Sequence, residues 1–257
     1  MQLNFGCDMA AQKFRGSSMQ NTLSNEQVAA FHHDFFVIDQ VRDFVEMIPM
    51  LPPGKVVVDV GGGCGFFARR LMQQRGIVAR VIDMDQASIV ACQRNGVDAA
   101  LGNALSPPVN GDEGMACFNL ILHHLVADTE AMTRELQSSA LSKWRDSVSA
   151  IFVNEYIYES YIASASGWLI YQITSNKILS SLGKQVAKIF PALRANTFGV
   201  GVRFRSHAEW IRLFAESGYE CVDCRMGKAE RVALPLRGLL IKTIRRDSFL
   251  LRPIQTA

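Results

Sequence analysis

The stretch Lys55-Val-Val-Val-Asp-Val-Gly-Gly-Gly-Cys-Gly65 decides the fold of this chain. It begins with a short, almost uninterrupted run of β-branched residues, which is typical of a central parallel strand buried on both faces. Glycine then occupies four of the next five positions, where it permits a tight turn and the close approach of a ligand to the backbone. The segment Phe66–Gln74 that follows has helical character. A strand, a glycine turn and a helix in this order predict a ligand site at the carboxyl end of the strand.

Strands and helices alternate after this turn. Helical stretches at Ala87–Arg94 and Asp128–Arg145 separate strand-like runs at Val78–Ile82, Ala99–Leu101, Phe118–Leu122 and Ser149–Val153. The alternation predicts a doubly wound α/β fold with a mostly parallel sheet of seven strands. The last two runs, Glu220–Arg225 and Leu239–Arg245, lie too close together for a crossover helix. We therefore expect an antiparallel last strand.

Two segments lie outside this minimal pattern. Residues 1–48 are expected to form an N-terminal arm and lid helices, with a capping box at Ser24–Gln27. Residues 49–257 form the main domain, which carries a helical insertion at about residues 160–200 because apolar residues recur there at helical spacing. We expect this insertion to act as a lid over the carboxyl edge of the sheet. The sequence also leaves open a homodimer formed through the insertion.

Composition and charge restrict the function classes. The six cysteines are scattered, which favours a reducing compartment, and no metal site is expected. Neither a signal peptide nor a bilayer-spanning run is apparent, so we expect a cytoplasmic protein without a membrane partner. Between Ser160 and Ala208 there are six lysines and arginines but no acidic residue. This imbalance leaves open an anionic small-molecule substrate, whereas no nucleic-acid-binding motif accompanies it.

Two classes of cofactor are bound by a glycine turn of this kind. The dinucleotide fingerprint fits only in a register that begins at Gly63 and accepts Ala68 in place of the last glycine. The spacing of Gly61, Gly63 and Gly65 after Asp59 instead resembles the first motif of the class I, Rossmann-like S-adenosylmethionine (SAM)-dependent methyltransferases.

Later motifs resemble the same family over roughly residues 50–155. Asp83 ends the second strand about twenty residues after the turn, where an acid can accept hydrogen bonds from ribose hydroxyls. Gly102-Asn-Ala104 resembles the adenine-contacting turn, with Asn103 where the family usually has Asp. The resemblance implies SAM as the cofactor and the following residues as its binding site: Asp59, Gly61, Gly62, Gly63, Gly65, Asp83, Met84, Asn103, Ala104 and His123.

The resemblance also implies where the methyl acceptor is activated. Positioning supplies much of the rate in such a reaction, and a general base helps when the nucleophile is a hydroxyl or a protonated amine. His123 and His124, after the fourth strand, are candidate bases, with a slight preference for His124. Glu155, at the end of the fifth strand, is a third candidate catalytic residue. For all three, a purely structural role stays open.

Two arginines precede the helix that follows the insertion. Arg203 and Arg205 flank an aromatic residue there. We interpret them as an exposed pair on a strand, although one of them could hold a substrate carboxylate or phosphate.

We therefore expect a SAM-dependent methyltransferase of the small-molecule type. O- or N-methylation is favoured, and C-methylation stays open. The alternatives are an RNA or protein methyltransferase, a non-catalytic SAM-binding protein, and an NAD-dependent oxidoreductase that uses the weaker glycine register.

Overall fold

The computed structural model describes residues 36–48, 51–189 and 198–255. Seven strands in these residues form one sheet in the order β3-β2-β1-β4-β5-β7-β6. The strands are β1 (Val56–Val60), β2 (Ala79–Asp83), β3 (Asp98–Leu101), β4 (Glu113–Asn119), β5 (Ala150–Ser160), β6 (Tyr219–Met226) and β7 (Ile241–Pro253). β1 to β5 pair in parallel, and β7 lies antiparallel between β5 and β6. The predicted doubly wound fold and the antiparallel last strand are confirmed.

Helices cover both faces of this sheet. They are α1 (Val37–Met47), α2 (Phe66–Arg75), α3 (Gln86–Arg94), α4 (Glu130–Ser142), α5 (Ala165–Ser175), α6 (Lys177–Ile189), α7 (His207–Glu216) and the short α8 (Leu234–Arg237), and a 3-10 turn spans Leu122–His124. All five residues of β1 are buried. Val57 joins a core with α1 and α2, whereas Val58 joins a core with α4 and α7. The run of valines is therefore buried on both faces, as predicted. The capping box predicted at Ser24–Gln27 lies outside the described residues.

The long strands differ most from the prediction. β4 begins at Glu113, five residues before the predicted apolar run. A charged residue can stand in this buried strand because its carboxylate is paired with Arg80 at 2.6 Å. β5 continues to Ser160, and β7 extends to Pro253. The extra part of β5, residues 154–160, contains mostly polar and aromatic residues and pairs with β7. The continuous apolar run in the sequence is therefore shorter than the strand, and the prediction ended too early.

The insertion contains two helices, α5 and α6, as its apolar spacing predicted. α6 packs on α5 through small residues: Ser180 Oγ donates a hydrogen bond to the carbonyl of Ile173 at 2.8 Å, and Gly183 lies close to the Ile173 side chain. The large apolar side chains of α6 point outward and are 40–73% exposed: Ile178, Leu179, Leu182 and Val186. A contiguous apolar surface of this kind commonly marks a contact with another molecule.

A bilayer-crossing segment would need a longer and more apolar helix than any found in the described part of the chain.

Candidate active site

The glycine turn connects β1 to α2 at the carboxyl edge of the sheet. Gly61 and Gly63 have φ angles of +68° and +53°, in the left-handed region that favours glycine. A Cβ atom at Gly61 would overlap the side chain of Ile121, whereas one at Gly63 would meet no atom within 4 Å. Gly65 lies farther inside, against Cys92. The turn therefore presents open backbone to the crevice at Gly63.

Asp83 lies directly beside this turn. Its Oδ2 atom accepts a hydrogen bond from the backbone N–H of Gly63 at 2.9 Å, and its Oδ1 atom accepts one from the N–H of Asp85 at 2.9 Å. Burial raises the pKa of the Asp83 carboxyl, and these two hydrogen bonds oppose that shift. A carboxylate has about four acceptor positions, so Asp83 keeps capacity for a ligand's hydroxyl groups. The structure thus brings together the predicted ribose-binding acid and the glycine turn.

A second carboxylate is buried beneath the turn. Asp59 is 1% exposed, and its Oδ2 atom lies 2.5 Å from where a Cβ atom of Gly62 would stand. Asn119 donates a hydrogen bond from Nδ2 to Asp59 Oδ1 at 2.9 Å. Burial raises the pKa of Asp59 to about 7. The Oδ1 atom of Asn119 is buried and has no hydrogen-bond partner among the described residues. Such an atom is an acceptor for a donor group of a ligand.

The remaining predicted cofactor residues follow β2 and β3. The backbone N–H of Gly102 donates to the carbonyl of Asp83 at 2.9 Å, which joins the two turns. Asn103 Oδ1 accepts a hydrogen bond from the N–H of Leu105 at 2.9 Å, so its amide oxygen already has a local donor. Met84 is 48% exposed and Ala104 is buried. All these positions lie at the same edge of the sheet as the glycine turn.

A buried histidine–glutamate pair lies beyond the end of β4, beside β5. His123 Nδ1 lies 2.6 Å from Glu155 Oε2, and Glu155 Oε1 accepts a hydrogen bond from the N–H of Leu122 at 2.6 Å. His123 is 3% exposed and Glu155 is fully buried. In the tautomer in which Nδ1 donates to this carboxylate, Nε2 is the ring nitrogen that can accept a proton. Two of the three predicted catalytic candidates therefore form one unit.

His124 has a different environment. Its ring centroid lies 4.1 Å from that of His123. Burial, together with the charge of His123, holds the pKa of His124 well below its ordinary value. His124 is therefore a weak base at neutral pH.

Strained backbone precedes this pair. Leu120 has a φ of +57°, which is rare for a branched residue, and its N–H donates to the carbonyl of Asn154 at 2.8 Å. Such strain costs on the order of 1–3 kcal/mol and clusters at functional sites. Here it redirects the chain from β4 into the 3-10 turn that carries His123.

Aromatic rings surround His123, and we call Phe36, Tyr156, Tyr158 and Phe204 the aromatic wall. Phe204 stacks on Tyr158 with centroids 4.1 Å apart and on His123 at 5.0 Å. Tyr156 meets His123 edge to face at 5.8 Å and Phe36 at 6.1 Å. Burial raises the pKa of Tyr156 to about 12, so its hydroxyl stays protonated. Only the two tyrosines two residues apart after Glu155 could have indicated this wall from the sequence, because Phe36 and Phe204 come from distant segments.

The interpretation of Arg203 and Arg205 as an exposed pair is wrong. Their exposures are 3% and 0%. Glu130, in the first turn of α4, binds Arg203 Nε at 2.7 Å and Arg205 Nη1 at 2.8 Å. The N–H of Arg203 also donates to the carbonyl of His123 at 2.9 Å. Glu209 is the second acid of this cluster, 2.9 Å from Arg203 Nη2 and 4.0 Å from Arg205 Nη1. The two arginines are therefore buried together with two carboxylates that balance their charges, and Arg203 supports the turn that holds His123.

Comparisons with known proteins give one partial sequence match. The family model described as methionine biosynthesis protein MetW matches residues 41–110, which is 70 of the 257 residues and includes the glycine turn and Asp83. A comparison with curated protein sequences found no significant match.

Solved structures match over most of the chain. A geranyl diphosphate methyltransferase in complex with SAM has a TM-score of 0.57 and 12% identity, with 88% of this chain and 89% of that chain covered. A geranyl diphosphate C-methyltransferase from Streptomyces coelicolor A3(2), in complex with Mg²⁺, geranyl diphosphate and S-adenosyl-L-homocysteine, has a TM-score of 0.55 and 11% identity, with 94% and 92% covered.

A third solved structure matches this chain over a smaller part of its own length. The phosphoethanolamine N-methyltransferase 2 of Haemonchus contortus, in complex with phosphomonomethylethanolamine and S-adenosylhomocysteine, has a TM-score of 0.52 and 9% identity. The match covers 84% of this chain and 53% of that one. At these identities the similarity establishes the fold. The chain therefore has the fold of the class I, Rossmann-like SAM-dependent methyltransferases, as its motifs indicated.

Proposed function

We propose that this protein transfers the methyl group of SAM to a small organic acceptor. The observation that carries the proposal is the hydrogen bond from Gly63 to Asp83, which places an acid beside open backbone at the carboxyl edge of the sheet. The His123–Glu155 pair lies at the end of β4, next to the strand that carries the glycine turn. A nucleoside site and a proton-accepting site are thus neighbours.

The described residues fit SAM. Asp83 would accept hydrogen bonds from the ribose, and Asn103, with Met84 and Ala104, would border the adenine. The open backbone at Gly63 leaves room for the amino-acid part. The carboxyl of Asp59 and the orphan oxygen of Asn119 are acceptors suited to an ammonium group. When bound, SAM supplies a methyl group activated by its sulfonium.

His123 is the base that we propose. Glu155 holds the imidazole through Nδ1 and fixes its tautomer, so that Nε2 can take a proton from a hydroxyl or ammonium nucleophile. The hydrogen bond from Leu122 to Glu155 and that from Arg203 to the carbonyl of His123 fix the pair further. Such a rigid arrangement favours positioning of the acceptor, which is the main task in methyl transfer.

A small acceptor suits the enclosed surroundings of His123. The aromatic wall and the buried Arg203–Glu130 pair leave little exposed surface around the imidazole for a macromolecule. The similar structures include one with geranyl diphosphate and one with phosphomonomethylethanolamine bound. Both compounds are small molecules that carry phosphate groups, one in complex with a C-methyltransferase and the other in complex with an N-methyltransferase. We favour O- or N-methylation here because the His123–Glu155 pair offers a base.

The outward apolar side chains of α6 support a homodimer formed through the insertion. Ile178, Leu182 and Val186 are spaced four residues apart and so form one stripe along the helix. Lys177 and Lys188 project from other sides of the helix, so two stripes could pack together without bringing these charges into the contact. Burial of the stripe would remove apolar surface from water.

Replacement of Asp83 by Ala is expected to weaken SAM binding by about 1–3 kcal/mol, the cost of leaving buried hydrogen-bonding groups unpaired. Calorimetric titration with SAM measures this change. Asp98→Ala, which removes an exposed carboxylate at the start of β3, is the matched control and should bind as the wild type does. Unchanged affinity in a folded Asp83→Ala variant would contradict the ribose assignment.

SAM affinity is expected to fall as the pH drops through about 7. The folded Asp59 has its pKa raised to about 7 by burial, and a cationic ligand group favours its ionised form, so protonation below that pH opposes binding. The stability of the ligand-free fold depends on pH in the opposite direction to the SAM affinity. Because the pKa of Asp59 is higher in the folded chain than in the unfolded one, the fold loses stability as the pH rises from about 4 to about 7. Dissociation constants measured across this range should show the slope in the wild type and not in Asp59→Asn. A slope that persists in Asp59→Asn assigns the effect to another group.

Replacement of His123 by Asn is expected to lower the rate of methyl transfer by about 10²–10⁴-fold, the usual contribution of a general base. Glu155→Gln should lower the rate in the same direction because it removes the group that fixes the imidazole. A radiolabelled-methyl screen over small-molecule extracts first identifies the acceptor and then measures the rates. His124→Asn is the matched control. A larger loss in His124→Asn than in His123→Asn would reverse the assignment, and labelling of no acceptor despite SAM binding would favour a non-catalytic SAM-binding protein.

Replacement of Leu182 by Glu is expected to convert a homodimer into a monomer, because it places a charge in the middle of the apolar stripe. Light scattering after size-exclusion chromatography reports the mass. Lys177→Glu, an exposed change on the same helix outside the stripe, should leave the dimer intact. A monomeric wild type would rule out the proposed contact.

A further inference from the structure

The side chain of Arg246, on β7, makes no hydrogen bond to any residue that the structure describes. Its side chain is 18% exposed, and its Nε atom is buried and has no hydrogen-bond partner in the described structure. The nearest carboxylate oxygens lie 3.6 Å from Nη2, on Asp39, and 4.0 Å from Nε, on Glu230. The guanidinium lies over the ring of Phe36, 3.9 Å from its centroid. Arg246 therefore has charged neighbours, but none of the described residues accepts a hydrogen bond from its guanidinium.

The other well-buried arginines all donate side-chain hydrogen bonds to other side chains, including Arg205, whose Nη2 alone lacks a partner among the described residues. Arg80 donates to Glu113 at 2.6 Å, Arg245 donates to Asp247 at 2.9 Å, and Arg203 donates to Glu130 at 2.7 Å. A buried donor without a partner is unfavourable and is uncommon in native proteins. This contrast indicates that Arg246 is arranged for an acceptor that the chain does not provide.

The position of Arg246 connects it to the proposed site. In the antiparallel register of β5 and β7, Arg246 is directly opposite Tyr156, so the two side chains lie on the same face of the sheet. Tyr156 contacts His123 on one side and Phe36 on the other. The aromatic wall thus runs from the His123 imidazole to the Arg246 guanidinium.

We propose that Arg246 binds an anionic group of the methyl acceptor, a carboxylate or a phosphate. The planar guanidinium offers parallel N–H groups that match two oxygens of such an anion. Phe36 holds the plane through a cation–π contact. The acceptor then has its anion at Arg246, an apolar part along the aromatic wall and its nucleophile near His123. This inference rests on the proposed methyl transfer and names the class of its acceptor.

Glu230 is the competitor for this cation. Its carboxylate is 47% exposed and lies at ion-pair distance from Arg246 but beyond hydrogen-bond distance. Asp39 is already bonded to Arg42 at 3.0 Å. A bound anion would experience repulsion from Glu230, so removal of that charge should strengthen anion binding.

The test measures binding of inorganic phosphate and of acetate to the ligand-free full chain at constant ionic strength. Line broadening of the ³¹P signal reports phosphate binding, and proton saturation transfer reports acetate binding. We expect saturable binding of at least one anion by the wild type, a loss of tenfold or more in Arg246→Gln, and a gain of about twofold or more in Glu230→Gln. Arg225→Gln is the matched control, because Arg225 is an exposed arginine of β6 paired with Glu46. It should bind both anions as the wild type does.

Several results would overturn the inference: no saturable binding by the wild type, equal binding by Arg246→Gln, or an equal loss in Arg225→Gln, which would indicate general surface charge. If Arg246→Gln does not fold, Arg246→Lys keeps the charge and removes the planar fork, and it should bind at least threefold more weakly than the wild type. Titration of the same samples with SAM reports on the proposed function separately. Anion binding without SAM binding would refute the methyl transfer alone, and SAM binding without anion binding would refute the role of Arg246 alone.

Discussion

The candidate site depends on how the fully buried carboxylate of Glu155 is satisfied. Glu155 accepts hydrogen bonds from Leu122 and His123 and so ties the turn after β4 to β5. Directly opposite, on β7, stands a second fully buried carboxylate, Asp247. Like charges in opposite positions of a sheet are unfavourable, so each carboxylate needs donors of its own. Asp247 obtains them from His207, Arg245 and the N–H of Gly227. The pairing of β5 with β7 and the placement of His123 are therefore coupled.

His123 lies between a polar hydrogen-bonded network on one side and the aromatic wall on the other. Behind the turn, Gln137 donates to the carbonyl of Leu122 and accepts from Arg205, which is paired with Glu130. This buried polar network is nearly saturated, and such networks hold a single geometry. In front lies the aromatic wall, which offers apolar contact and few hydrogen-bonding groups. The base that we propose, His123, thus faces an apolar surface, which suits a reaction in which the main task is to hold the acceptor in line with the methyl group.

The contact between the glycine turn and Asp83 could be predicted from the sequence, whereas the contacts around His123 could not, and the reason is the distance along the chain. The glycine turn and Asp83 are twenty residues apart, and the spacing within one β-α-β unit dictates their contact. His123 and Glu155 were both candidates, but their pairing depends on the register of two strands. The burial of Arg203 could not be predicted, because it depends on Glu130, 73 residues away. Arg246 was missed because nothing in its local sequence distinguishes it from an exposed strand arginine.

Two unfavourable features of the cofactor half share one explanation, and a third lies beside them. Asp59 is buried with a pKa near neutrality, Asn119 has an orphan oxygen, and Leu120 has strained backbone, in the residues that line or follow β1 and β4. In an ordinary core such features would be eliminated, because each lowers the stability of the fold. A cationic ligand that donates hydrogen bonds would relieve the first two, and its binding energy then stabilises the folded chain. Proteins commonly violate such local rules at functional sites. Here the violations lie next to the glycine turn, which was the first feature to indicate a ligand site.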